Sequence, residues 1–185
     1  IINRELEEYQ EADFIVVPSK FAKRTFIEKG INRKRVISVP LGADILDLSC
    51  REFDDSFGTP DFLFVGGNGL RKGIRYLIDA WREIECDSSL YLRSSFSNGS
   101  DNLFSLDDLE DVVLLENYVE DLGSLYSKAD VLVLPSLEDG FGMVVTEAMA
   151  CGMPVIVSEN TGAKEIVEDG ENGFIVPIKD EDAIR

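Results

Sequence analysis

Ala129–Ser158, ADVLVLPSLEDGFGMVVTEAMACGMPVIVS, reads as strand, loop, helix, strand. Val131–Leu134 is a short unbroken apolar run, the pattern of a strand buried on both faces. Pro135 and Ser136 end it, and Leu137–Gly142 is a loop with two acids and two glycines. The spacing predicts a helix from Met143 to Ala150, stopped by Cys151-Gly152. Pro154 then opens a second buried strand, Val155–Val157. Together they make one βαβ unit with a right-handed crossover.

The polar residues of this unit fall where chemistry can use them. Asp139 sits beyond the carboxyl end of the first strand, and Glu147 follows eight residues later, about one turn into the helix. Between them Gly140-Phe141-Gly142 allows backbone to approach a ligand closely, because glycine has no Cβ. The N–H groups of Gly142, Met143 and Val144 point out of the helix start, where the helix dipole also favours an anion. A phosphate fits those amides, with a carboxylate on each side to accept hydroxyl hydrogen bonds. A ligand that joins a diphosphate to sugar hydroxyls meets that description.

Upstream, Asp61–Gly73 (DFLFVGGNGLRKG) has similar logic. Phe62–Val65 reads as a buried strand, Gly66-Gly67-Asn68-Gly69 as a turn, and Arg71 and Lys72 open a helix over Ile74–Glu83. Ile74, Leu77, Ile78 and Trp81 form its apolar stripe. Ligands of open α/β sheets bind outside the carboxyl ends of strands. This loop is such a place and carries two cations. Taken alone, it is equally a helix start with two surface cations.

Further out, ADFIVVPS (Ala12–Ser19) repeats the strand-then-Pro-Ser solution of ADVLVLPS. A helix follows over Lys20–Lys29, then a strand at Arg35–Pro40. Seven of the 18 basic residues lie between Lys20 and Arg35. They are read either as a solvated helix face or as contact with an anionic membrane surface or acceptor. Ile45–Thr59 lacks periodicity and reads as a linker. Beyond the second glycine loop come strands at Ser89–Arg93 and Val112–Leu115, and a short helix at Leu122–Lys128. After Ser158 come a polar loop, in which Thr161 and Gly162 are candidates to line a pocket, a helix over Ala163–Glu168 and a strand, FIVPI.

Composition narrows the partners. A net charge of −18 argues against nucleic acid, which needs a basic face. It fits a solvated acidic surface or adaptation to high salt. No apolar run approaches the roughly 18–20 residues of a membrane span. Cys50, Cys86 and Cys151 are few and scattered, which predicts reduced thiols in a cytoplasmic protein. With no histidine, the commonest general base is missing.

PSLEDGFGMVVTEAMACGMPVIVS resembles the acid-x7-Glu signature of retaining glycosyltransferases of the GT-B fold, family 4 type. Most members have Glu where Asp139 stands; Glu138 does not keep the spacing to Glu147. The resemblance implies a Rossmann-like, doubly wound parallel α/β sheet that is one half of a GT-B fold. It divides the chain into residues 1–45, the end of an N-terminal acceptor domain, 46–60, an interdomain linker, and 61–185, a C-terminal donor-binding domain short of its final helices. It implies transfer of a hexose from a UDP- or GDP-linked donor with retention of configuration, no metal and no separate cofactor. Lys72 and Asp139 take the catalytic roles, Lys72 stabilising the leaving diphosphate and Asp139 holding a donor-sugar hydroxyl. Glu147 holds the ribose, and Gly66, Gly67, Arg71, Gly140, Phe141, Gly142, Met143 and Val144 surround the diphosphate. Tyr118 and Val119 contact the nucleobase. The sequence departs from the family at Gly67, which stands where members have arginine; Arg71 or the amides of Gly67 and Asn68 are the candidates to replace that charge. A carbohydrate or lipid-linked acceptor belongs with the N-terminal domain, and peripheral contact with the inner face of the plasma membrane goes with the basic run. The competing readings are another GT-B enzyme, such as an epimerase or phosphorylase, and a non-catalytic interaction module.

Overall fold

The computed structural model describes residues 2–44, 58–67, 69–94, 106, 108–115 and 122–185. Helix α1 (Ile2–Glu11), strand β1 (Ile15–Val17), helix α2 (Lys20–Glu28), a 3₁₀ turn (Arg33–Arg35) and strand β2 (Val36–Ser38) come first. β1 and β2 pair in parallel. Ile15, Val17, Ala22 and Val36 form a small core of their own. The Arg35 guanidinium donates to the carbonyls of Tyr9, Gln10 and Ala12, so it satisfies the carbonyls at the end of α1.

The second body is a six-stranded, wholly parallel sheet. Its strands are β3 (Phe62–Gly66), β4 (Leu90–Ser94), β5 (Val112–Leu114), β6 (Val131–Leu134), β7 (Val155–Ser158) and β8 (Gly173–Val176). Their spatial order is β5-β4-β3-β6-β7-β8. The chain starts at β3, winds out to β5, then returns to β6 and winds out the other way. This is the doubly wound Rossmann-like arrangement, and its switch point lies between β3 and β6. Helices α3 (Ile74–Trp81), α4 (Leu122–Tyr126), α5 (Met143–Ala150) and α6 (Glu181–Ile184) and a 3₁₀ turn (Gly162–Ile166) accompany it.

The local reasons follow the sequence. Leu63, Phe64, Leu132 and Leu134 are fully buried, as unbroken apolar runs require of central parallel strands. α3 buries Ile74, Leu77, Ile78 and Trp81, and Trp81 stacks edge-on against Phe62 at 5.5 Å between ring centres. At the amino ends two carboxylates fix strand register. Asp61 accepts from the Ser89 amide at 2.7 Å, and Asp130 accepts from the Asp61 amide at 2.8 Å.

Several expectations shift. α3 begins at Ile74 as expected, with Arg71 and Lys72 just ahead of it and Gly73, at φ +78°, as its N-cap. α3 ends at Trp81, short of Glu83. The helix expected over Ala163–Glu168 is the 3₁₀ turn Gly162–Ile166, capped by Thr161. Cys151 is disulfide-bonded, against the expectation of reduced thiols, whereas Cys86 is free and exposed.

At the carboxyl edge the loops after β3 and β6 touch. The Leu137 amide donates to the Arg71 carbonyl at 2.9 Å, and Arg71 Nη1 donates to the Glu138 carbonyl at 3.2 Å. A Cβ on Gly73 would lie 1.9 Å from the Pro135 carbonyl oxygen, in a left-handed conformation that only glycine adopts freely. Gly170, at φ +81°, has open space around it. Gly170→Ala should therefore cost about 1 kcal/mol for backbone conformation alone. Gly73→Ala should cost at least about 3 kcal/mol, because backbone must move. Urea midpoints for the two variants check this, and equal losses would refute the steric account.

Candidate functional site

Lys72 and Asp139 meet at the switch point. The Lys72 ammonium pairs with Asp139 Oδ2, and the two side chains are only 15% and 10% exposed. The Lys72 methylenes lie over Gly66, where a Cβ would stand 2.9 Å from Lys72 Cγ. A side chain at 66 would push the lysine away. Asp139 is held from several directions. Its amide donates to the Asn160 carbonyl at 3.0 Å, its carbonyl accepts from the Gly162 amide at 2.9 Å, and its Oδ1 accepts from the Phe141 amide at 3.3 Å. The loops after β6 and β7 thus continue the pairing of those strands, with Asp139 bridged to Thr161.

The start of α5 lies in the same loop. Gly142 is its N-cap at φ +87°, and a Cβ there would come within 3.3 Å of Asp139 Oδ2 and Thr161 Oγ1. The first amides of a helix have no carbonyl one turn back, so those of Gly142, Met143 and Val144 face the loop beside Asp139. Phe141 is buried, and its backbone carbonyl accepts from Thr161 Oγ1 at 3.0 Å, which ties the loop to Thr161. Gly140 is half-exposed; its carbonyl accepts from Ser19 Oγ at 2.6 Å. Thr161 is fully buried and braces the loop, so it does not line an open pocket. Gly162 is pressed under the Gly140 carbonyl and Ser19.

Glu147, one turn into α5, has a partner that the sequence reading missed. Tyr126, at the end of α4, is buried and donates its hydroxyl to Glu147 Oε2 at 2.5 Å. Burial first, and then the Glu147 carboxylate, push the tyrosine well above its ordinary 10; Arg93 pulls weakly the other way. Tyr126 is therefore a fixed donor that orients one Glu147 oxygen. The signal available in the sequence was a tyrosine in the short helix expected over Leu122–Lys128, which gives no hint of what its hydroxyl meets.

The other predicted residues are less concentrated. Gly67 and Arg71 are exposed at the turn after β3. Tyr118 and Val119 lie outside the described residues. Lys20, Lys23, Arg24, Arg33 and Lys34, from the basic run, border a groove between α2 and β2. The two bodies also touch beside the site, where the Phe21 amide donates to Glu165 Oε1 at 2.8 Å. Among the described residues no helix is long and apolar enough to cross a membrane.

Tyr126→Phe should cost about 2 kcal/mol at pH 7, the loss of a hydrogen bond to a charged group. The wild-type advantage should shrink above about pH 10, because the unfolded tyrosine gives up its proton there and the folded one keeps it. Urea melts from pH 7 to pH 11 check this; a constant gap between the proteins would refute it.

The profile of the family described as glycosyl transferases group 1 matches residues 59–185. An uncharacterized glycosyltransferase of Methanocaldococcus jannaschii is 35% identical over 165 residues, covering 89% of this chain and 45% of that protein. Mannosylfructose-phosphate synthase of Agrobacterium fabrum is 30% identical over 206 residues, covering 98% of this chain and 45% of that protein. Among solved structures, sucrose-phosphate synthase from Thermosynechococcus elongatus superimposes with a TM-score of 0.78 at 25% identity, over 100% of this chain and 51% of that one. Anabaena HepE, solved with UDP-glucose, superimposes with a TM-score of 0.78 at 22% identity, over 93% of this chain and 52% of that one. The chain spans about half the length of these relatives. The sheet order, the paired loops at its switch point and the profile match agree that this chain belongs to the group 1 glycosyltransferases and has the Rossmann-like fold of a GT-B domain.

Proposed function

We propose that residues 61–185 are the donor-binding domain of a retaining GT-B glycosyltransferase, and that residues 1–45 close its acceptor domain. The proposed reaction moves a hexose from a nucleoside-diphosphate sugar to an acceptor hydroxyl. The observation that carries this reading is the meeting of Lys72 with Asp139 beside the amides of Gly142–Val144, one helical turn from Glu147. As the bond from the anomeric carbon to the diphosphate breaks, negative charge gathers on the phosphate oxygens. Lys72 has three donors, so it can keep Asp139 and still reach a phosphate. Fixed donors in a partly dry site stabilise that charge without reorganising. Retention is supported by the acid-x7-Glu signature at Asp139 and Glu147, and metal independence by the supply of cations and amides within the chain itself.

Glu147, oriented by Tyr126, is proposed for the ribose hydroxyls and Asp139 for a hydroxyl of the donor sugar. A uridine donor is supported by HepE, which was solved with UDP-glucose. The basic groove between α2 and β2 is proposed for an anionic acceptor or headgroup. Gly67 favours a second reading, a module that keeps the fold without the donor.

Calorimetric titration with UDP and GDP, without added metal, tests the first reading. One nucleotide should bind, and Lys72→Ala should weaken it by at least about tenfold, the loss of one charge-assisted contact. Folded protein that binds neither nucleotide would favour the module.

A further inference from the structure

Arg93 is a cation in an unusual place. It lies on β4, an interior strand between β5 and β3, in register with Val65. Leu90 and Leu92 are buried on one face of that strand, so Arg93 shares the other face with Tyr91. Its Nε–H is buried and meets no hydrogen-bond acceptor among the described residues. Other arginines here are provided for: Arg35 by the end of α1, Arg82 by Asp79 and Asp108, Arg185 by Glu83 and Asp182. In a chain with 36 acids, a buried guanidinium N–H left without an acceptor is a costly choice unless a ligand completes it.

Its surroundings say which ligand. Arg93 is one residue from the carboxyl end of its strand, the edge at which the candidate site lies. The next residue, Ser94, donates to the Gly66 carbonyl at 2.8 Å, and Lys72 lies over Gly66. The positive charge of Arg93 also acts, weakly, on the Tyr126 hydroxyl that holds Glu147. Arg93 therefore stands on the strand beside the turn that carries Lys72, the cation proposed for the diphosphate, and its charge is felt toward the acid proposed for the ribose. The group that joins a diphosphate to a ribose is the α-phosphate.

We propose that Arg93 is a donor-binding residue whose guanidinium takes the α-phosphate of the nucleoside diphosphate. The buried Nε–H needs an acceptor, and the guanidinium fork matches phosphate oxygens better than a neutral base or sugar. Arg93 also returns, from the neighbouring strand, a cation that Gly67 withholds from the loop after β3. The assignment rests on the donor-domain reading above.

The test uses Arg93→Met and Arg93→Lys. The probes are the preferred nucleoside diphosphate of the wild-type protein, UDP or GDP, with the matching monophosphate and free nucleoside. Arg93→Met should weaken the diphosphate and the monophosphate by about tenfold and leave the nucleoside unchanged. Arg93→Lys should lose less. Without ligand, Arg93→Met should melt at a higher temperature than wild type, because a buried N–H without an acceptor is gone; an arginine that only braces the fold gives the opposite sign. Wild-type binding with no change in either variant overturns the Arg93 assignment alone. An equal loss for the free nucleoside overturns the phosphate contact. A wild-type protein that binds neither UDP nor GDP overturns the donor-domain reading and this assignment with it.

Discussion

Two loops at the carboxyl edge of the sheet are packed so closely that one position tolerates no side chain. Gly73 lies against the Pro135 carbonyl, and the meeting of the two loops depends on that contact. It brings the turn after β3 to the loop after β6, places Lys72 against Asp139, and lets the Leu137 amide donate to the Arg71 carbonyl while the Arg71 guanidinium donates to the Glu138 carbonyl. The two strands that carry these loops are neighbours only because the chain reverses direction of winding between β5 and β6. The crevice at a switch point is where neither loop covers the other.

A second layer of constraint supports the first. Asp139 is held by hydrogen bonds to Asn160 and Gly162, and Thr161 is buried under the Phe141 carbonyl. Ser158 Oγ reaches the Ser136 carbonyl at 2.5 Å, tying β7 to the end of β6. These bonds make the acidic loop an extension of the sheet, so the carboxylate has a defined position before any ligand arrives. The same loop offers the Gly140 carbonyl to Ser19 and so also joins the two bodies. A shift of one body against the other would be felt directly at the residues proposed to bind the donor.

Charge is distributed with the same economy. The chain carries a net −18, yet Lys72 and Arg93 stand at one edge of one sheet, partly out of water. One is matched by Asp139; the other has a buried N–H with no acceptor among the described residues. A site of the kind proposed, for a polyanion, has to withhold some acids from its cations, or the ligand must compete with the protein's own carboxylates.

The sequence by itself determined the parallel sheet, the glycine loops at its carboxyl edge, and α5 with its bounds at Met143 and Ala150. These are local: apolar runs mark buried strands, and glycines mark turns and helix ends whatever the rest of the chain does. It also marked Asp139, Glu147 and Lys72 through motif and spacing. It ran the helix after Lys72 on to Glu83, two residues past its end at Trp81, and nothing local says that Gly73 must turn left-handed to pass Pro135. It missed Tyr126 and Arg93, which belong to separate elements and acquire meaning only from what lies across the sheet. Which strand stands next to which, whether an acid is paired or waiting, and which buried donor lacks an acceptor depend on contacts between residues far apart in the chain. Those contacts are properties of packing, and only the tertiary structure decided them.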